Sequence, residues 1–179
     1  MADQGFEFGG VHHVALVSSD MARTVDFYTN VLGMPLTKTL ELPGGGQHFF
    51  FDCGNGDCVA FFWYPESAPA APGVASASRN GSISSAIGSM NHLAFTIPAE
   101  RFDDHVQRLT DLGIENFVLN HDDSESTIAE EMHDGVFVRS VYFRDPDGIL
   151  LEMACWTKAF DESDAQDPPA AADGTRVAV

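Results

Sequence analysis

An α+β fold made from two copies of a βαβββ module is what this 179-residue sequence predicts. The first observation is an internal repeat, in which Val11-His-His-Val-Ala-Leu-Val17 is matched by Met90-Asn-His-Leu-Ala-Phe-Thr-Ile97. The second is that each copy passes through a turn into a helical pattern that stops at Leu-Gly. The spacing is 20 residues from His13 to Gly33 and 21 from His92 to Gly113. The third is that strand-like runs, three per copy, follow each helix.

The elements follow in chain order. Val11–Val17 reads as a strand, and Asp20 is the N-cap of a helix whose apolar positions are Met21, Val25, Tyr28 and Leu32. Gly33 stands where a left-handed C-cap is expected. Strands Leu36–Leu42, Gln47–Asp52 and Cys58–Tyr64 come next, split by Pro43-Gly-Gly-Gly46 and Gly54-Asn-Gly56. Glu66–Ser89 is rich in Ala, Ser, Gly and Pro and reads as a linker or lid. The second copy has a strand at Met90–Ile97 and a helix on Phe102, Val106, Leu109 and Leu112. Strands Glu115–Leu119, Phe137–Phe143 and Ile149–Trp156 complete it, the last two joined by a tight hairpin at Asp145-Pro-Asp-Gly148. The expected organisation is an arm at 1–10, modules at 11–65 and 90–157, the linker at 66–89, and an acidic, disordered tail at 158–179.

Charge narrows the partners. Asp and Glu number 27 against nine Lys and Arg, a net charge of -18. Scattered single cations do not make the basic stripe that nucleic acid or an anionic membrane surface requires. The same field repels polyanionic small molecules. Cys53, Cys58 and Cys155 have neither disulfide parity nor paired zinc spacing, so reduced thiols in a cytoplasm are expected. The start of the chain lacks the apolar core of a secretory signal.

Strand alternation selects the side chains that share a face. His13 lies with Ala15 and Val17, and His92 with Ala94 and Thr96, so each repeat sets a histidine beside small residues. On the last strand Leu150, Glu152, Ala154 and Trp156 share one face. A carboxylate in mid-strand is costly to bury unless it is paired or bound to a metal. Glu152 has two outlets: ion pairing to Arg139 or Arg144, or metal binding. Two imidazoles and one carboxylate form the facial triad associated with non-haem Fe(II) oxygenases.

These residues also carry a family resemblance. His13-Val-Ala-Leu followed by Phe27-Tyr28-x-x-Val31-Leu-Gly33, together with Tyr142-Phe-x-Asp-Pro-Asp-Gly-x-x-x-Glu152, resembles the vicinal oxygen chelate superfamily over Val11 to Trp156. That group includes glyoxalase I, extradiol dioxygenases, fosfomycin and bleomycin resistance proteins and methylmalonyl-CoA epimerase. The resemblance implies two modules whose sheets curl into an open, metal-centred barrel-like sheet, with His13, His92 and Glu152 as ligands. The fourth ligand of glyoxalase I-like enzymes is missing, because Ala60 or Phe62 stands at that face. The pattern is closest to extradiol ring-cleaving enzymes, in which a His and a Tyr precede the ligand Glu as His133 and Tyr142 do here. Their acid–base His corresponds to Asp57, with His48 as a substitute from a neighbouring strand.

The expected function is therefore a metal-dependent oxygenase using Fe(II) or Mn(II), with Zn, Co or Ni also compatible. Its substrate is small and hydrophobic or aromatic, chelated through adjacent oxygens, with O2 as co-substrate. His133 and Tyr142 supply hydrogen bonds and Asp57 or His48 moves protons. An oxygen-independent lyase or isomerase and a bleomycin-resistance-type binder are the alternatives. A homodimer is expected, and the sequence leaves open whether His13 joins its own chain's His92 and Glu152 or a partner's.

Overall fold

A computed structural model describes residues 9–69, 75–77, 83–85, 90–165 and 167–176. Most of the expected arm and much of the expected linker lie outside the described residues. The first half contains β1 (His13–Val17), α1 (Met21–Asp26), β2 (Leu36–Glu41), β3 (Gln47–Gly54) and β4 (Asp57–Trp63). Two short strands, β5 (Ala75–Ala77) and β6 (Ile83–Ser85), pair as an antiparallel ribbon between the halves. The second half contains β7 (Leu93–Thr96), α2 (Phe102–Asp111), β8 (Asn116–Asp122), β9 (Ile128–Ala129), β10 (Val136–Arg144) and β11 (Leu150–Trp156). The α+β class and the doubled strand–helix–three-strand order hold, with β9 as an added edge strand.

Each half folds as its own sheet, ordered β1-β4-β3-β2 in the first and β7-β11-β10-β8-β9 in the second. The first and last long strands of each half, β1 with β4 and β7 with β11, are parallel; the other pairs in these two sheets are antiparallel. A parallel neighbour needs a crossover, and the helix supplies it, so α1 and α2 each cover one face of their own sheet. There is no closed barrel. Among the described residues, the outer edges of β1 and β7 have no strand partner in the two sheets.

Local chemistry accounts for the helices. The Asp20 carboxylate accepts from Arg23 N at 3.0 Å, the expected N-cap. Beyond Asp26 the helix widens into a π-helical turn at Phe27–Val31, where a regular helix was expected. Thr29 Oγ1 donates to Val25 O at 2.5 Å and Leu32 N to Phe27 O at 3.0 Å. The wider turn lets the consecutive Phe27 and Tyr28 both enter the core. Gly33 and Gly113 end the two helices at φ of 78° and 70°, the left-handed values their positions require.

One hydrophobic core serves both halves. Phe51, Val59 and Phe61 come from the first sheet and Val141, Phe143, Leu151 and Cys155 from the second. Met21, Phe27, Tyr28, Phe102 and Leu109 come from the helical segments between them. The sheet residues in this list alternate with Phe50, Ala60, Tyr142 and Glu152. The faces carrying His13 and Glu152 therefore lie on the outside of the shared core. Polar contacts reinforce the junction. Asp147 accepts from Ser19 N at 3.0 Å, from the Ser19 hydroxyl and from Arg23 Nη2 at 2.8 Å, while Tyr28 Oη donates to Asp145 at 3.4 Å.

The tail expected to be disordered includes a 3-10 turn at Glu162–Ala165, and Lys158 Nζ reaches Asp164 at 3.3 Å. Among the described residues, no helix is long and apolar enough to cross a membrane.

Candidate metal centre

The registers convert strand alternation into two defined surfaces. In the second sheet Ala94, Glu152, Tyr142 and Phe117 are consecutive partners across four strands, and Thr96, Ala154, Ser140 and Leu119 form the next row. Val138 pairs with both Trp156 and His121 one step further. In the first sheet the corresponding row is Ala15, Ala60, Phe50 and Lys38. The repeat thus aligns Ala60 with Glu152, Phe50 with Tyr142 and His48 with Ser140. Carboxylate chemistry survives in one half only, and Ala60, rather than Phe62, occupies the fourth-ligand position.

Glu152 is buried, and Oε2 lies 2.8 Å from His92 Nε2. Ser140 Oγ donates to Oε1 at 2.5 Å, and Asn91 Oδ1 lies 2.6 Å from His92 Nδ1. Burial raises the Glu152 pKa, but hydrogen bonds from His92 and Ser140, the His92 charge and Tyr142 outweigh it and hold the carboxyl below its usual value. Glu152 is thus ionised, as a metal ligand must be.

The donor set fits a metal on its tautomer and its spacing. With the Asn91 carbonyl oxygen as acceptor, Nδ1 carries a proton, and without a metal the doubly protonated ring also donates from Nε2 to Glu152 across 2.8 Å. A bound cation would take the place of that second proton, leaving Nε2 and Oε2 as its ligands. Ligands bonded at about 2.1 Å and at right angles stand about 3 Å apart, which matches this separation. A ligating imidazole normally gives its other N–H to a carbonyl or carboxylate, the part taken here by Asn91.

Tyr142 flanks the pair, its ring edge-on to His92 with centroids 5.6 Å apart and stacked on Phe117 at 5.2 Å. Burial and the Glu152 charge push its phenol up to about 12, so it is an O–H donor at neutral pH. His121 Nε2 lies 3.5 Å from Tyr142 Oη, at the outer limit of a hydrogen bond. A cavity of about 450 Å³ opens over this face, lined by His92, His121, Tyr142, Glu152, Ala154 and Trp156 among others.

The third expected ligand is elsewhere. His13 is exposed on the outer face of the first sheet, its Nδ1 2.8 Å from His12 Nδ1 and its ring 5.9 Å from Phe50. Among the described residues of a single chain, no three His, Cys, Asp or Glu side chains gather as a metal site. His13 therefore does not join His92 and Glu152 within the chain, because the two outer faces lie on opposite sides of the common core.

The remaining expected residues divide. His133 lies off the sheet, its Nε2 3.2 Å from Asp122 Oδ2 and its Nδ1 accepting from Gly135 N at 3.0 Å. The imidazole beside Tyr142 is that of His121, which the family resemblance did not single out. Cys58, not Asp57, is in register with His13, so Asp57 alternates to the opposite face, beside Cys53. That corrects its expected position as a proton carrier on the metal face. His48 does share the face of His13. Its ring stacks on Phe62 at 3.6 Å and packs against Phe50 at 4.3 Å, and Nε2 is buried without a hydrogen-bond partner. Burial, then the nearby His13, lowers its pKa. Ser140 and Asn91 also escaped the sequence reading, although Ser140 was detectable as the residue sharing a face with Tyr142.

Comparison with known proteins bears on the family and the fold. The family model described as the Glyoxalase/Bleomycin resistance protein/Dioxygenase superfamily matches residues 10–153. A glyoxalase family protein from Enterococcus faecalis is 26% identical, with a TM-score of 0.60 over 83% of this chain and 98% of that one. The protein SMU.1112c is also 26% identical, with a TM-score of 0.58 over 83% of this chain and all of that one (100%). The fosfomycin resistance protein FosX from Listeria monocytogenes, solved with Mn(II) and sulfate ion, is 20% identical. It gives a TM-score of 0.52 over 84% of this chain and 95% of that one, a likeness of fold alone.

Proposed function

The chain belongs to the Glyoxalase/Bleomycin resistance protein/Dioxygenase superfamily, and from that premise we propose that it is a divalent-metal enzyme whose centre is completed between two copies. The ligands are His92 and Glu152 of one subunit and His13 of the partner subunit, and the ion is Fe(II) or Mn(II). The carrying observation is the His92–Glu152 pair at 2.8 Å, braced by Ser140 and Asn91 and lacking a third ligand among the described residues of its own chain. The unpaired edges of β1 and β7 support the shared site. Pairing them between copies extends the sheet and brings His13 alongside the residues it resembles by repeat. Val17, on the face of His13, is 55% exposed in the single chain, surface that a second copy would cover.

The substrate is a small hydrophobic molecule with two adjacent oxygens, cleaved with O2 in the manner of extradiol enzymes. When bound, the metal polarises those oxygens and acidifies their protons. The chain's own residues do the rest. Ser140 and Asn91 hold the carboxylate and imidazole in their ligating orientation. Tyr142 keeps its proton and donates a hydrogen bond to a substrate oxygen as negative charge develops there, with His121 behind it donating from Nε2–H to the phenol oxygen. His48, beside His13 and unpartnered at Nε2, is the proton acceptor best sited on the opposite wall. Apolar side chains around the cavity exclude water.

Metal analysis tests the centre. His92→Ala, Glu152→Ala and His13→Ala should each abolish stoichiometric binding. Co-expressed His13→Ala and Glu152→Ala chains should recover about a quarter of the sites, since about half the dimers are mixed and each has one intact centre. Recovery of none refutes the shared site, and unchanged metal in the single variants refutes the centre itself. Oxygen uptake matched to catechol ring opening supports the oxygenase reading, whereas turnover under strict anaerobiosis replaces it with a lyase or isomerase.

A further inference from the structure

Between Glu152 and the end of β11 the outer face carries Ala154 and then Trp156. The indole is 61% exposed although it lines the same cavity as His92 and Glu152. In the single chain Trp156 and the exposed Phe160 together make an apolar patch at the mouth of the cavity, the kind of surface that marks a binding site. The indole is not loosely held. Phe160 meets it edge-on with centroids 4.9 Å apart, and Phe137 backs Phe160 at 6.0 Å. The cation in this segment, Lys158, is committed to Asp123 at 3.5 Å and Asp164 at 3.3 Å. No Lys or Arg lines the cavity among the described residues, while Thr96, Val138 and Ala154 leave its floor shallow.

We propose that Trp156 is the specificity-determining wall of the site, stacking an uncharged, flat apolar substituent that projects from the chelating oxygens along β11. The proposal rests on the metal-centre reading above and deepens it. Four residues of strand separate Glu152 from Trp156, roughly 13 Å. A single ring chelated at Glu152 stops short of the indole, and a substituted ring reaches it. The lining also discriminates by charge: beside Trp156 this chain supplies no Lys or Arg among the described lining residues, so a phosphonate or carboxylate on the substituent meets no cationic side chain from β11 and is disfavoured.

The test uses full-length protein loaded with Mn(II) and titrated anaerobically by calorimetry with catechol, 4-phenylcatechol and 4-carboxycatechol. The expected wild-type order is 4-phenylcatechol at least tenfold tighter than catechol, with 4-carboxycatechol weakest. In Trp156→Ala the phenyl preference should fall to threefold or less, and Trp156→Phe should restore most of it, with manganese content equal in all three proteins. Retention of the full preference in Trp156→Ala overturns the proposal and leaves the metal centre standing. If no catechol binds more tightly to Mn(II)-loaded than to metal-free wild type, the centre's reading fails and the proposal with it.

Discussion

Replacing Asp147 by Ala tests how the hairpin that aims Glu152 is anchored to the other half of the molecule. Asp147 lies in the five-residue turn between β10 and β11, and its side chain is only 12% exposed. It accepts from the backbone and hydroxyl of Ser19 and from Arg23, whose side chain is 49% exposed. The ion pair is the obvious contact but the weaker one, because a half-exposed guanidinium is screened and contributes about 0.5 kcal/mol. The two Ser19 bonds end on a carboxylate that is nearly out of water, and charge-assisted bonds of that kind contribute about 1–1.5 kcal/mol each. Asp147→Ala should therefore cost about 2.5–3.5 kcal/mol, Arg23→Ala about 0.5 and Ser19→Ala about 1. Urea titration at constant slope measures all three as shifts in midpoint. Equal losses in Arg23→Ala and Asp147→Ala would refute the reasoning, since the salt bridge rather than the Ser19 bonds would then hold the junction.

Other outcomes follow from the same coordinates. Ser140→Ala should weaken Mn(II) binding about 10- to 100-fold, because Glu152 loses the hydrogen bond that orients Oε1; competition with a chelator of known affinity reads it. Asp145 has its pKa raised by burial, against the opposing pull of the Ile149 and Asp147 backbone amides. A carboxyl raised in the folded state stabilises most while protonated, so its contribution is full below about pH 4 and is lost as pH climbs through the raised value. Asp145→Asn should flatten that loss, and parallel pH-stability curves for wild type and variant would contradict it. Phe61→Ala removes a fully buried ring from the shared core and should cost about 3–5 kcal/mol in the same denaturation assay. At Gly33 and Gly113 an added Cβ meets nothing within 4 Å, so Gly→Ala at either should cost only the left-handed strain, about 1 kcal/mol.

Much of the architecture was legible because it is written in local chemistry. The Asp20 cap, the glycines that end both helices and the alternation of β4, β10 and β11 each depend on neighbours a few residues away. Even the pairing of His92 with Glu152 could be anticipated, since repeat position and strand parity fix a face. The sequence signal weakened where partners are distant or spacing is irregular. The π-helical turn depends on both Phe27 and Tyr28 being drawn into a core that the two halves build together. Between Val136 and Val138 a bulge shifts the pairing of β8 with β10, and His121 faces Val138 just past it. The resemblance pointed to His133 because it matches order along the chain, which this register does not follow.

Periodicity and repetition alone determined the doubled module, its helix ends and the candidate donor residues, because each is specified by side chains close in sequence. Only the tertiary structure decided that the two sheets turn their apolar faces to one common core. That choice follows from burying Phe51, Phe61, Val141, Phe143 and Leu151 together. It sends His13 to one side of the molecule and His92 with Glu152 to the other, which is why the site proposed above draws on a second copy.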